Sequence, residues 1–298
     1  MRRAEYAASV KTRIAQITDL HVARPGQLLF GVLDTPRLAA QAVAHVRALD
    51  PAPDVVLVTG DLVASGLAAE YAHVREILDG LDRPYYVIPG NHDRRSGLLA
   101  AFDGHAAADG DGHIQYTVED LPVRLVALDT LREEHDDGLF DEVRAAWLRD
   151  TLAHRPDTPT LVFMHHPPFE TGVWWMDTAG LAGAGMLRDI VAHHPQVRLV
   201  VCGHVHRPVT TSWAGTVVTI APGVAFQVAL DLVPESRPKA APDPPAVLLH
   251  MFDGESFVTH TSYVGTGPAL DLSDFMSDWE RLKVEWRERK AAIDASSA

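Results

Sequence analysis

Cysteine is almost absent from the chain: Cys202 is the single one in 298 residues. One thiol excludes an intrachain disulfide framework and a structural zinc site built on several thiolates, and it fits a reducing compartment. Long apolar runs are missing too. Nothing approaches the roughly 18 consecutive apolar residues of a membrane span. Residues 1–16 lack the apolar core and cleavage signature of a secretory signal, so the expected address is the cytoplasm, with no membrane partner. Basic charge is scarce, 26 Lys and Arg against 40 Asp and Glu, for a net charge of −14. That balance weighs against a nucleic-acid polymer or an anionic membrane as partner. It leaves a small anionic substrate open, because bound metal ions invert the local charge.

What is present is ordinary for a globular protein: 47% hydrophobic residues and a mean hydropathy of −0.02. The length suits one large α/β domain with an appendage. The Pro-rich stretch 234–245 suggests a main domain over 1–233. It would be followed by a C-terminal hairpin and helical tail over 234–298. No internal repeat of solenoid period occurs.

The first half alternates strand and helix patterns. Ile14 to Asp19 reads as a strand. Asp34-Thr35-Pro36 opens a helix with Leu38, Ala42, Val46 and Leu49 at helical spacing. Val55 to Val58 is a run apolar enough for burial on both faces. A helix follows over Leu67 to Asp79, then a strand over Tyr85 to Ile88. This order predicts a mainly parallel sheet. Further on, Ile114–Val118 and Arg124–Leu128 read as paired strands. Helices are expected over Asp141–Ala153 and Leu187–His193, and strands over Thr160–Met164 and Val197–Cys202. Thr210 to Ile220 reads as antiparallel, and Asp253-Gly254 marks a hairpin. The tail from Asp271 to Ile293 is a charged helix. Its stripe of Leu272, Phe275, Met276, Trp279 and Leu282 either docks on the body or contacts a second subunit in a homo-oligomer.

Five strand ends carry ligand-type residues: Asp19 with His21, Asp61, Asn91 with His92, His165, and His204 with His206. In Gly203-His204-Val205-His206, an extended backbone would point both imidazoles the same way. Singly, each of these residues reads as a turn or cap. Together they fall where open α/β sheets build their sites, beyond the carboxyl ends of the strands.

Taken in order, Asp19-x-His21, Gly60-Asp61, Gly90-Asn91-His92-Asp93, His165-His166-Pro167-Pro168 and Gly203-His204-x-His206 resemble the calcineurin-like metallophosphoesterases over about residues 13–210. Within that superfamily the closest resemblance is to class III cyclic-nucleotide phosphodiesterases and bacterial glycerophosphodiesterases. It rests on Phe163 to Pro168, the Met176-Asp177 loop and Gln227-Val228. The resemblance implies a four-layer α/β/β/α sandwich of two mixed sheets. It also implies two metal ions, divalent or an Fe³⁺/M²⁺ pair, with Mn, Fe, Zn and Co as candidates. One ion would be held by Asp19, His21, Asp61 and His206, the other by Asp61, Asn91, His165 and His204. Two such ions about 3.5–4 Å apart activate a bridging hydroxide for in-line displacement at phosphorus. Two dications, two carboxylates and that hydroxide leave about +1, which suits a phosphodiester monoanion.

By the same resemblance His92 protonates the leaving oxygen. Asn91, His92 and His206 face the substrate phosphate, and Asp93 orients His92. His166 stands behind the ligands. Trp174 and Trp175 wall the substrate pocket or pack in the core. The chain departs from many relatives at Ala64, where a second Asp follows Gly-Asp-x-x. It departs from protein phosphatases at Ala64-Ser65-Gly66 and at Asp93. These departures favour small diesters, 3′,5′-cyclic nucleotides or glycerophosphodiesters. A phosphomonoesterase is the alternative, with Arg94, Arg95 and Arg207 as the nearby cations. A non-catalytic metal-binding scaffold is the third reading.

Overall fold

The computed structural model describes residues 11–265, 267, 270–276 and 278–296. Residues 1–10, most of the stretch read for a signal, lie outside them. The first half holds β1 (Thr12–Ile17), α1 (Thr35–Arg47), β2 (Val55–Thr59), α2 (Ala68–Leu78), β3 (Tyr85–Ile88) and α3 (Arg95–Ala101). Helix α1 starts where its sequence directs: the Asp34 carboxylate accepts from the Arg37 amide at 3.2 Å, and Pro36 sits in the first turn. Strands β1, β2 and β3 pair in parallel, as the alternating pattern predicts.

The second half holds β4 (Tyr116–Val118), β5 (Arg124–Ala127), β6 (Gly138–Leu139), α4 (Glu142–His154), β7 (Thr160–Phe163), α5 (Trp174–Asp177), β8 (Leu181–Ala182), α6 (Ala184–Ala192) and β9 (Val197–Cys202). Then come β10 (Val209–Trp213), β11 (Thr216–Ile220), β12 (Gln227–Val228), β13 (Ala240–Ala241), β14 (Ala246–Phe252), β15 (Phe257–Tyr263) and α7 (Trp279–Ser296). One sheet runs β15-β14-β1-β2-β3 and the other β10-β11-β9-β7-β5-β4. The short pairs β6/β8 and β12/β13 stand apart from both.

Period-two alternation produces the four layers. In β2, Val55 and Leu57 face one way, while Val56 and Val58 face the other. Val55 and Leu57 meet Leu161, Phe163, Leu199 and Val201 from the second sheet, forming the apolar seam between the sheets. Val56 and Val58 pack with Ala42 and Val46 of α1 and with Tyr71 and Val74 of α2. On the opposite side, Val162 and Val200 pack against Leu148 of α4 and Ile190 of α6. The chain is therefore the expected α/β/β/α sandwich of two mixed sheets. Cys202 is fully buried in the outer core, a small apolar residue.

The chain divides into Met1–Gly265 and Thr266–Ala298. The reason is pairing: β14 runs antiparallel to β1 over Thr12–Gln16, so the C-terminal hairpin completes the first sheet. In the second unit, helix α7 carries Trp279 and Trp286 edge to face at 5.7 Å.

One buried polar thread crosses the sheet seam. His250 on β14 meets Thr259 Oγ1 at 2.8 Å and Gln16 Oε1 at 3.1 Å, and Gln16 Nε2 donates to Thr59 Oγ1 and the Cys202 carbonyl, both at 2.9 Å. Burial pushes the His250 imidazole down to about 3. The unfolded chain, with an ordinary His value near 6.5, then binds the extra proton. Stability from this group is intact above about pH 6.5 and falls with acid toward pH 3, by about 1.4 kcal/mol per pH unit. His250→Gln should flatten that slope in denaturant titrations between pH 4 and 7. An unchanged slope would contradict the assignment.

Candidate metal centre

Each ligand-type residue sits just past the end of a parallel strand. Asp19 and His21 follow β1, Asp61 follows β2 and Asn91 follows β3; His165 follows β7, and His204 and His206 follow β9. Five of these seven are non-glycine residues in the left-handed region: Asp19 (φ 54°), His21 (41°), Asp61 (51°), His204 (72°) and His206 (50°). Such backbone is costly for side chains other than glycine and clusters at functional sites. It also revises the reading of Gly203-His204-Val205-His206. The two imidazoles are aimed by a turn with two left-handed residues, not by the alternation of an extended strand.

Two donor groups result. Asp19, His21, Asp61 and His206 have ligand atoms within 4.8 Å of one another, all buried; so do His165, His166 and His204. In the first group, His21 Nε2 faces His206 Nε2 at 3.1 Å and Asp61 Oδ2 at 3.4 Å, and His206 Nε2 faces Asp19 Oδ1 at 3.3 Å. On the other side, Asn91 Oδ1 faces both His165 Nε2 at 3.2 Å and His204 Nδ1 at 3.1 Å. Asp61 Oδ2 reaches the same His165 Nε2 at 3.5 Å, so its carboxylate touches both groups. Sequence reading placed Asn91 here, and the structure brings all seven residues together.

The donors fit metal ions. The His165 Nδ1–H donates to the Thr59 carbonyl at 2.8 Å, and the His206 Nδ1–H donates to the Phe226 carbonyl at 3.0 Å. That commits each Nδ1 and aims Nε2 inward, the arrangement metal-ligating histidines use. Charge follows geometry. Burial pushes the Asp61 carboxyl up, but His165, His92 and His21 outweigh it and hold Asp61 well below the usual range. Burial lowers His165, yet Asp61 beside it carries the imidazole to about 9.

His166 lies among the donors, but both its ring nitrogens are engaged: Nδ1 with Thr130 Oγ1 at 2.9 Å and Nε2 with the Asp136 carbonyl at 3.3 Å. It ties the 130–138 loop to the site rather than offering a lone pair to an ion. Asp93 departs from expectation. It makes no hydrogen bond to the His92 ring; its carboxylate accepts from Gly90 N at 2.9 Å, Leu62 N at 3.2 Å and Tyr71 OH at 3.2 Å. Burial, then Asp61, raises this carboxyl to about 7. The His92 ring is held instead by Ala64, whose carbonyl accepts from Nδ1 at 3.0 Å. A backbone group therefore fixes the ring.

Close approach of backbone sets a further requirement. A Cβ at Gly90 would collide with Asp61 Oδ1 and its amide. Gly90→Ala should cost about 1–3 kcal/mol of stability and reduce metal content, as thermal unfolding and elemental analysis would show. Wild-type values in both would contradict the collision.

A cavity of about 650 Å³ opens over the site, with Phe30, Phe226, Trp175 and Met176 as apolar walls and Asn91, His92 and His206 on its floor. Trp175 lines it while also packing on the outer core, and Trp174 does not line it. Asp93 is fully buried and does not reach it. Of the expected cations, Arg95 is clamped by Asp129 at 2.7 and 2.9 Å, and Arg207 Nη1 donates to the Val228 carbonyl at 2.7 Å. Lys239 lines the cavity and escaped sequence reading, as did Phe30 and Phe226; loop residues carry no period to reveal them.

A profile described as calcineurin-like phosphoesterase matches residues 12–208. The chain is 36% identical to the "Probable glycerophosphodiester phosphodiesterase GpdQ" of Arcobacter nitrofigilis, covering 85% of this chain and 93% of that protein. It is 29% identical to the 3′,5′-cyclic adenosine monophosphate phosphodiesterase CpdA of Escherichia coli K12, over 74% of this chain and 79% of that one. A dimetal phosphatase from Danio rerio shares the fold at a TM-score of 0.61 and 18% identity, covering 85% of this chain and 99% of that one. The chain belongs to the calcineurin-like phosphoesterase family. Among its described residues no helix is long and apolar enough to cross a membrane.

Proposed function

We propose that the chain is a two-metal phosphodiesterase acting on small phosphodiesters, 3′,5′-cyclic nucleotides or glycerophosphodiesters. The observation that carries this reading is the convergence of seven donor residues from five strand ends, with Asp61 touching both groups and His92 beside them. Asp19, His21, Asp61 and His206 would hold one ion, and Asp61, Asn91, His165 and His204 the other. Mixed carboxylate, imidazole and amide-oxygen donors suit Mn, Fe, Zn or Co. Such ions, when bound, supply Lewis acidity and a water acidic enough to attack phosphorus near neutral pH.

The chain's own residues do the rest. Thr59 and Phe226 fix the inward-facing imidazoles. Asn91, His92 and His206 line the floor on which the phosphate lies. With Nδ1 committed to Ala64, His92 gives a proton from Nε2 to the leaving oxygen. Asp93 joins the loops carrying Asp61 and Asn91 through Leu62 and Gly90, and so acts as a positioning residue. The single buried cysteine suits the cytoplasm.

A metal-reconstituted assay comparing an aryl diester with the matching aryl monoester tests the reading. The diester should be turned over at the higher kcat/KM. A clear monoester preference would install the phosphomonoesterase alternative instead.

A further inference from the structure

One segment grips two of the donors without supplying a donor itself. Residues 223–228 run past the first donor group. The Val224 and Ala225 amides donate to the Thr18 and Asp19 carbonyls at 3.0 and 3.1 Å, and the Val228 amide donates to the His206 carbonyl at 3.1 Å. Between those anchors stands Phe226. Its carbonyl meets His206 Nδ1 at 3.0 Å, and its ring lies on the same imidazole, with centroids 4.0 Å apart and planes 25° from parallel. The His21 ring is 5.8 Å away. Gly223 leaves room for this approach, since a Cβ there would collide with His206 Nδ1 and the Phe226 carbonyl. In the second donor group His165 and His204 pack instead against each other and His166, edge on or tilted.

A second ring backs the first. Phe30 lies edge to face against Phe226 at 5.6 Å and 69°. Phe30 and Gly31 are left-handed, at φ 54° and 74°, in a tight turn closed by the Val32 amide on the Leu29 carbonyl at 3.1 Å. Such a turn favours Asn, Asp or Gly where Phe30 stands, and Phe30 is 72% exposed. Strained backbone under an exposed aromatic residue points to a use for its ring, and the ring it meets is Phe226.

We propose that Phe226 and Phe30 form a two-ring brace that sets the His206 imidazole toward its ion, which makes them positioning residues for one ion of the pair and not the other. The inference rests on the two-metal reading above. The argument is one of rotation. A hydrogen bond from Nδ1 holds one point of the imidazole and leaves the ring free to tilt. A flat face 4.0 Å away removes the tilt, so Nε2 stays beside Asp19 Oδ1 and His21 Nε2. A leucine in place of Phe226 keeps the backbone carbonyl and the apolar contact but offers no plane to align.

The test reads Zn²⁺ affinity on the full chain by competition with a chromogenic chelator. Wild type should take two ions. Phe226→Leu should weaken one of the two affinities about tenfold, the lower end of what an outer partner of a ligating histidine contributes, and leave the other within about twofold. Phe226→Tyr, which keeps the flat ring, should bind both ions as wild type does. Phe30→Ala, at an exposed position, should weaken one affinity about threefold, as expected for a single edge-to-face pair. Added to His206→Ala, Phe226→Leu should have no further effect, since the ring acts through that imidazole. Both affinities unchanged in Phe226→Leu, both weakened alike, or a repeat of the loss on top of His206→Ala overturns the brace and leaves the two-metal reading standing. A wild type that takes fewer than two ions overturns both.

Discussion

Asp61→Ala should lower kcat/KM by about three orders of magnitude and leave the protein short of metal at both positions. The expectation follows from where the carboxylate reaches. Oδ2 lies 3.4 Å from His21 Nε2 and 3.5 Å from His165 Nε2, one imidazole in each donor group, and Oδ1 accepts from the His92 amide at 2.9 Å. In the proposed centre, removing it would withdraw an anionic donor from both ions and loosen the residue assigned to protonate the leaving group. Metal-based charge stabilisation is worth several kcal/mol, and each 1.36 kcal/mol is tenfold in rate. Asp61→Asn keeps the shape and one oxygen but loses the charge. It should fall between wild type and alanine, separating loss of charge from loss of fold. Elemental analysis beside steady-state kinetics checks this; two ions per chain and full activity in the alanine variant would sink the bridging role.

The second large effect belongs to His92. His92→Ala should lower kcat about 10²- to 10⁴-fold, and the loss should grow with the pKa of the departing alcohol. p-Nitrophenolate leaves without help, so an aryl diester should suffer least and an alkyl diester most. Burial lowers the His92 imidazole, but Asp61 next to it outweighs burial and raises it, favouring the protonated form an acid needs. Equal losses for aryl and alkyl substrates would assign His92 to phosphate binding alone. Metal content should stay near wild type, since the ring lies beside the donor groups and not within them.

Much of this was legible in the sequence, because the signals were local. The apolar runs of β2 and β9 mark strands buried on both faces, and the polar residues ending them mark the site edge. Helix α1 carries its own start signal in Asp34 and Pro36. Where local signals fade, the structure adds what the sequence withheld. Helix α3 has Arg94 at its N-cap with no capping bond and Gly97 in its middle. Its place depends on buried Leu98 and on Tyr71 lying against Gly97, contacts that only tertiary packing supplies. The C-terminal hairpin announced itself through Asp253-Gly254, but its pairing with β1 across more than 230 residues did not. The direction of His204 and His206 was equally hidden, since nothing in a Gly-His-Val-His string announces left-handed histidines. Asp93 shows the opposite failure: the residue was found, but its partner was Gly90 and Leu62 rather than the neighbouring ring.

The donor residues are divided between the sheets. Asp19, His21, Asp61 and Asn91 hang from the first, and His165, His204 and His206 from the second. During synthesis the first set emerges well before the second, and neither can close a coordination sphere by itself. In the proposed centre, metal uptake would therefore report a finished sandwich. A chain stalled before residue 165 offers two carboxylates, one imidazole and one amide of the proposed donor set, without the three imidazoles of the second sheet. The same division makes the centre a gauge of sheet alignment. Any distant substitution that slides one sheet against the other should register first as weakened metal retention, before secondary structure is lost.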